Sequence, residues 1–368
     1  MRILMTTWRD GTHPAAGGAE VYTEQVVARW AAAGHEVTLL TAAVDGRPAD
    51  EVLHGVRRIR QGGKLGVYRA ARRWYQKEGR GRFDVIIDQV NTRPFFVHEW
   101  QPDAPVVAFY HQTCEEIWHH EMPWPLSTIG QRYLEPRWLA RMAGVPSMAV
   151  SNSTRDALLR FGVKDITVVP EGLTLPGEVP AVPKEATPTL VHVSRLVTYK
   201  QADHVMEAVR LARRELPDLT LWFVGDGPME RTLRKQAPEG VEFLGYVSAE
   251  EKHERMARAH AIVMASTREG WGLVIAEAAA LGTRAIAYDR PGLRDAVTAA
   301  DGVLVPATPE ALANWIVHTL PTWVAEPPAA VPGGGVEDWQ TVADRVFDVV
   351  GAVVPAAGTH GEMVGASA

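Results

Sequence analysis

Short apolar runs and helical stretches alternate along almost the whole chain, and no other property narrows its fold as much. RILMTTW (residues 2–8) is followed by a Gly/Pro-containing loop, RDGTHPAAGG, then by the helical stretch AEVYTEQVVARWAAA, which Gly34 stops, and then by the strand-like HEVTLLTA. Strand, loop, helix, glycine, strand is a βαβ unit. FDVIID, PVVAFYH, SMAVSNS and DITVVPEG continue as short strands, separated by the helical stretches LGVYRAARRWYQ, IGQRYLEPRWLARM and STRDALLRF. Such alternation predicts an α/β fold with a mainly parallel sheet.

The segment GLTLPGEVPAVPKEATPT then gathers Pro176, Pro180, Pro183 and Pro188, which cannot continue a helix or a central strand. After it the rhythm restarts: TLVHVSR, a helix from about Ala202 to Leu216, LTLWFVGDG, a helix over MERTLRKQ, VEFLGYV, a helix over AEEKHERMARA, and AIVMAS. A chain of 368 residues exceeds the size at which one core usually stops growing. Two doubly wound, Rossmann-like domains are therefore expected, over 1–172 and 189–335, joined by a linker over 173–188. VEDWQTVADRVFDVVGAVV (336–354) has an amphipathic helical pattern and is expected to cross back to the first domain, leaving 355–368 as a loosely held tail.

Hydrophobic residues make up 46% and charged residues 22%, which argues against long disorder. The single cysteine, Cys114, excludes an internal disulfide, and no CxxC pair offers a thiolate zinc site. MRILMTTWRDG is too little for a signal peptide and no uncharged run reaches membrane-spanning length, so a cytoplasmic protein is expected. Residues 57–82 hold ten basic residues against one acidic residue, Glu78, and interleave Arg with Tyr68, Trp74 and Tyr75. Two readings stay open: peripheral contact with anionic lipid at the inner membrane face or with an anionic acceptor, and an ordinary solvated helix face. No recognition motif accompanies the charge, so no nucleic-acid partner is expected.

TREGWGLVIAEAAALGTRAIAYD (267–289) sets two carboxylates in an almost wholly apolar segment. AIVMAS before it reads as a strand, TREGWG as a turn, LVIAEAAAL as a short helix and TRAIAY as the next strand. Glu269 thus falls at the carboxyl end of a strand, the edge where open α/β sheets bind ligands, and Gly270 and Gly272 leave backbone N–H groups free at a helix start. Glu277 is the lone polar side chain between Leu273 and Leu281, so it is expected to be shielded and to need hydrogen-bond donors. The bland alternatives are a turn carboxylate for Glu269, and for Glu277 a lone surface charge or a cap on a neighbouring backbone group.

EGWGLVIAEAAALGT resembles the E-x7-E signature of retaining GT-B glycosyltransferases of the group 1 type. HVSRLVTYKQADHVMEA (192–208) resembles that family's G-R-L-x-x-x-K-G segment, FVGDGPMERTL its V-G-x-G-P turn, VEFLGYVSAEE its F-L-G-x-V segment, and SNSTRDALLRFGVKDITVVPEG the end of its first domain. The likeness covers most of residues 1–315. It implies two facing domains with a central cleft, the donor held mainly by the second and the acceptor by the first. Arg195 and Lys200 would then meet the diphosphate, against the alternative of a solvated pair of surface cations; Glu269 and the backbone of Gly270 to Gly272 would meet the donor-sugar hydroxyls, with Trp271 and Leu273 in the same donor-binding turn, Glu277 the ribose, and Tyr246 and Val247 the base. PAAGGAE resembles the glycine loop facing the donor phosphates and the acceptor, which makes Gly17 and Gly18 candidates for close backbone approach; a plain flexible turn is the alternative. His111 matches a position that reaches the transferred sugar, against a structural histidine.

His119, His120 and Glu121 suggest metal ligands, but adjacent histidines point in different directions and no third ligand is well spaced. No D-x-D pair is present either. No metal is expected, and no cofactor beyond a nucleotide diphosphate sugar of UDP or GDP type as substrate. Gly225 and Gly227 begin like a dinucleotide fingerprint, yet Glu230 stands at the third glycine position. Two departures from the family pattern touch donor-side loops: the usual P-N-G is P-E-G here, with Glu171, and the Gly after the binding Lys is Gln201. The expected activity is transfer of a hexosyl group to the hydroxyl of a small-molecule, saccharide or lipid-linked acceptor, with retention. A nucleotide-sugar epimerase or hydrolase on the same scaffold, and a noncatalytic nucleotide-sugar sensor, are the alternatives.

Overall fold

The computed structural model describes residues 1–173, 175 and 182–355. Pro176 and Pro180 of the expected linker, and the expected tail from 356 onward, lie outside the described residues.

The first sheet consists of β1 (Arg2–Thr6), β2 (Glu36–Thr41), β3 (Asp50–Leu53), β4 (Val56–Arg60), β5 (Val85–Val90), β6 (Val106–Tyr110), β7 (Ser147–Ala149) and β8 (Ile166–Val168), ordered β3-β4-β2-β1-β5-β6-β7-β8. Every pairing is parallel except β3 with β4. Because side chains alternate across a strand, Ile3 and Met5 face one core cluster and Leu4 the other. The first cluster is covered by helices Gly18–Ala32 and Trp339–Ala352, the second by helix Val67–Trp74.

The antiparallel β3/β4 hairpin is not anticipated by the alternation. His54 (φ 53°) and Gly55 (φ 76°) make its two-residue turn, the left-handed pair that matches strand twist. Its second strand, VRRIR, hides behind its arginines: Arg58 and Arg60 are fully buried, which the sequence pattern of a half-exposed strand does not suggest. Helix Trp339–Ala352 is capped by Asp338 and returns to the first domain, where the Trp30 indole N–H donates to the Ala343 carbonyl at 3.0 Å.

The second sheet is parallel throughout: β9 (Thr189–Val193), β10 (Thr220–Val224), β11 (Val241–Gly245), β12 (Ala261–Met264), β13 (Arg284–Tyr288) and β14 (Val303–Val305), ordered β11-β10-β9-β12-β13-β14. The order reverses beside β9, the switch point where such sheets open a crevice at the carboxyl ends of their strands. The loops after β9, β12 and β13 converge there, opposite the loop after β6 of the first domain.

Candidate active site

Lys200 and Glu269 meet at this switch point. After β9 the chain runs through Ser194–Val197 into a single turn, Thr198–Lys200, and Gln201 enters helix Ala202–Ala212 in the left-handed region (φ 52°, ψ 43°). The glycine usual at this position in similar sequences would adopt that conformation without strain. The turn aims Lys200 back at Glu269, and the ammonium forms an ion pair with that carboxylate. Burial is the largest influence and opposes the Lys200 charge, but Glu269 and Tyr199 together outweigh it and leave the ammonium harder to deprotonate than an ordinary lysine. Glu269 is fixed in turn by its backbone N–H to the Pro291 carbonyl at 3.1 Å. Gly292 (φ 80°) permits that approach, since a Cβ there would stand 2.1 Å from the Glu269 carbonyl oxygen.

Glu277 is 9% exposed, and its donor is Lys252, whose Nζ lies 2.7 Å from Oε2. Helix Leu273–Ala280, which carries Glu277, starts at left-handed Gly272 (φ 110°). Arg195 is exposed and donates to the Tyr199 hydroxyl at 3.2 Å, without a carboxylate partner among the described residues. Tyr246 is 85% exposed, and Val247 is partly buried against the second-domain core. The Trp271 indole is buried in that core, which leaves the backbone of the Gly270–Gly272 turn to face the cleft. Leu273 packs partly against the first-domain cluster.

In the first domain, helix Gly18–Ala32 presents its amino end. The Gly17 N–H donates to Glu20 Oε2 at 2.7 Å, while Arg9 holds the other oxygen of Glu20 at 2.8 Å. His111, just past β6, is buried and pushed down to about 3 by desolvation, so the ring is neutral. Its Nε2 lies 2.6 Å from the Gln89 amide nitrogen, which also donates to the Thr23 hydroxyl at 2.7 Å. Nδ1 of His111 has no partner. Glu171 lies beside Gly18: a Cβ on Gly18 would stand 3.7 and 3.9 Å from its two oxygens.

The two domains touch across the cleft. Gly270 rests on the His111 carbonyl, Arg268 pairs with Glu116 at 2.9 Å and with Glu115 at 3.2 Å, and the Ser153 N–H donates to Asp295 at 3.2 Å. His120 Nε2 lies 3.2 Å from the Thr267 hydroxyl, whereas its neighbour His119 pairs with Gln131 at 2.7 Å. Among the described residues no group of three or more His, Cys, Asp or Glu is placed to hold a metal ion.

The basic stretch does not form one surface. Arg58 pairs with Glu24 at 2.6 Å, and Arg60 with Asp10 at 2.8 Å and Glu51 at 2.7 Å, all inside the first domain. Trp74 and Tyr75 point into the core, because the helical period turns Val67, Ala71 and Trp74 inward and Arg69, Arg72 and Arg73 outward. No described helix is long and apolar enough to cross a membrane.

Lys252, Arg268 and the placement of Glu171 escape the sequence reading. Glu171 carries a signal, its departure from the family's asparagine. Lys252 and Arg268 carry none, since each acquires its partner only on folding.

Two facing Rossmann-like sheets with converging strand ends define a GT-B glycosyltransferase fold. Residues 179–320 match the family described as Glycosyl transferases group 1, and residues 16–175 match Glycosyltransferase Family 4. The chain belongs to the group 1 glycosyltransferases. It is 27% identical to glycogen synthase of Mycobacterium tuberculosis over 81% of this chain and 80% of that one. It is 25% identical to the GDP-mannose-dependent alpha-(1-6)-phosphatidylinositol dimannoside mannosyltransferase of the same organism, over 92% and 94% respectively. HepE from Anabaena, solved in complex with UDP-glucose, superposes with a TM-score of 0.68 at 17% identity, covering 96% of this chain and all of the other (100%).

Proposed function

We propose that this enzyme transfers a hexosyl group from a UDP- or GDP-type nucleotide sugar to an acceptor hydroxyl, with retention at the anomeric carbon and without a metal ion. The observation that carries the reading is the Lys200–Glu269 pair at the sheet switch point, with Glu277 on the following helix and His111 directly across the cleft. A lysine held charged beside a carboxylate is a fixed cation ready to exchange that partner for a diphosphate. Arg195, which pairs with no acid among the described residues, supplies a second cation. Glu269 then turns its oxygens to sugar hydroxyls, while Glu277, kept polarised by Lys252, accepts from the ribose. Neutral His111 offers Nδ1 to the sugar without adding charge.

In the reaction, the bond between the anomeric carbon and the diphosphate oxygen breaks as the acceptor oxygen attacks from the same face, and the acceptor proton passes to the departing phosphate. Lys200 and Arg195 offset the charge that grows there. The names of the relatives point to both UDP and GDP donors, which suits a base pocket built from the backbone beyond β11 and the exposed Tyr246. A thermal-shift panel of nucleotide sugars tests the class and narrows base and sugar together. Release of nucleoside diphosphate only when an acceptor is present separates the transferase from a hydrolase, an epimerase or a sensor; release that ignores the acceptor overturns the proposal.

A further inference from the structure

Glu171 is 5% exposed, and its Oε2 is buried with no hydrogen-bond partner among the described residues. An orphaned carboxyl oxygen in a protein interior is costly and calls for an account. It sits beside Gly18, at the amino end of the fifteen-residue helix Gly18–Ala32, where the first backbone N–H groups have no intrahelical acceptor. Its electrostatic surroundings are the acids Glu269 and Glu277 against the single cation Lys200. Lys252 is committed to Glu277, and nearby Tyr22 donates to the Val169 carbonyl at 3.3 Å. Arg345, also near Tyr22, is engaged with Glu337 at 2.6 Å. His111 is neutral.

A diphosphate entering between Lys200 and the helix amino end would add negative charge to a site already rich in carboxylates. An ionised Glu171 would repel it, whereas a protonated one could donate its O–H. We propose that Glu171 is a proton-carrying ligand of the donor, its neutral carboxyl hydrogen-bonding a diphosphate oxygen at the amino end of helix Gly18–Ala32. Burial, with Glu269 and Glu277 adding to it, pushes Glu171 up to about 8, so the proton is held through neutral pH without any ligand. The proposal rests on the nucleotide diphosphate sugar reading above.

The test is calorimetric binding of intact UDP-glucose and GDP-mannose, whose diphosphates do not titrate in the range used and whose bases ionise only above it, from about pH 6.5 to 9.0 to the wild type, Glu171→Gln and Glu171→Asn. In the wild type the Kd for the donor that binds should be level up to about pH 8 and then rise by about tenfold per pH unit, the slope of one linked proton. In that upper range, buffers of different ionisation heat should report uptake of about one proton per donor bound. Both variants should bind with a level profile and no proton uptake. A level wild-type profile to about pH 9.0 overturns the proposal, as does a slope that survives in either variant. If neither nucleotide sugar binds the wild type at any pH, the donor reading falls and takes this one with it. The wild-type proton uptake needs no variant, so a misfolded substitution cannot mask the answer.

Discussion

The carbonyl oxygen of His111 lies 2.5 Å from where a Cβ on Gly270 would stand, so the end of β6 and the turn after β12 are in backbone contact across the cleft. Gly270→Ala must push the two domains apart at this point. Displacement of reacting groups by about 1 Å can cost on the order of 100-fold in rate. We expect kcat to fall by that order, with the melting temperature nearly unchanged; wild-type kcat in steady-state assays would show that the contact does not position the site.

Lys200→Ala removes a cation from a largely enclosed pair and leaves Glu269 without its partner. Breaking a buried pair costs about 3–5 kcal/mol, an upper bound for a pair that keeps some solvent access. Stability should therefore drop, and donor affinity with it. Lys200→Ala/Glu269→Gln should recover much of the stability but none of the turnover. Denaturant unfolding alongside donor-binding assays separates the two effects, and recovery of turnover in the double variant would refute the diphosphate role.

Arg60 and Asp10 are both buried, with Nε to Oδ2 at 2.8 Å. Arg60→Met leaves Asp10 only the more distant Arg58, at 4.0 Å, and takes a cation from Glu51; it should destabilise the first domain by up to about 3–5 kcal/mol. Adding Asp10→Asn should return a large part of that loss. Vesicle binding by the single variant should match the wild type, because this arginine does not reach the surface; flotation with anionic liposomes checks it.

Glu171 binds its proton more tightly in the folded chain than in the unfolded one, where it titrates near 4.5. Between about pH 4.5 and 8 the folded state therefore holds a proton that the unfolded state has lost, and stability falls as pH rises through that window. Glu171→Gln escapes the penalty. Its melting temperature should exceed that of the wild type by a margin growing from about pH 4.5 to 8 and constant above, reaching several degrees at roughly 2–4 °C per kcal/mol. Equal melting temperatures at pH 5 and pH 8 would contradict the buried-acid assignment.

Two parallel sheets were legible because a strand buried on both faces, such as VIIDQV of β5 or TLVHV of β9, needs no partner to declare itself. Glu269 and Glu277 were legible for the converse reason, being charges where the pattern has no room for charge. What stayed hidden depends on pairing at long range. Arg58 looks like a surface residue until Glu24 is brought to it from 34 positions away, and Lys252 looks like any helix lysine until Glu277 arrives from 25 away.

The chain passes between the domains twice, once after Gly172 and once before Trp339, and the two passages are tied together by the Leu173 N–H to the Glu337 carbonyl at 2.9 Å. Gly172 admits no side chain there, as a Cβ would stand 2.9 Å from the Trp339 indole. Fastened side by side, the two crossing points cannot bend independently. The first domain is a two-piece body, since helix Trp339–Ala352, which closes one of its core clusters, follows the second domain in sequence. A fragment stopping near residue 173 should be unable to fold until a peptide spanning 336–354 is supplied in trans, and the ribosome must finish the second domain before the first can close.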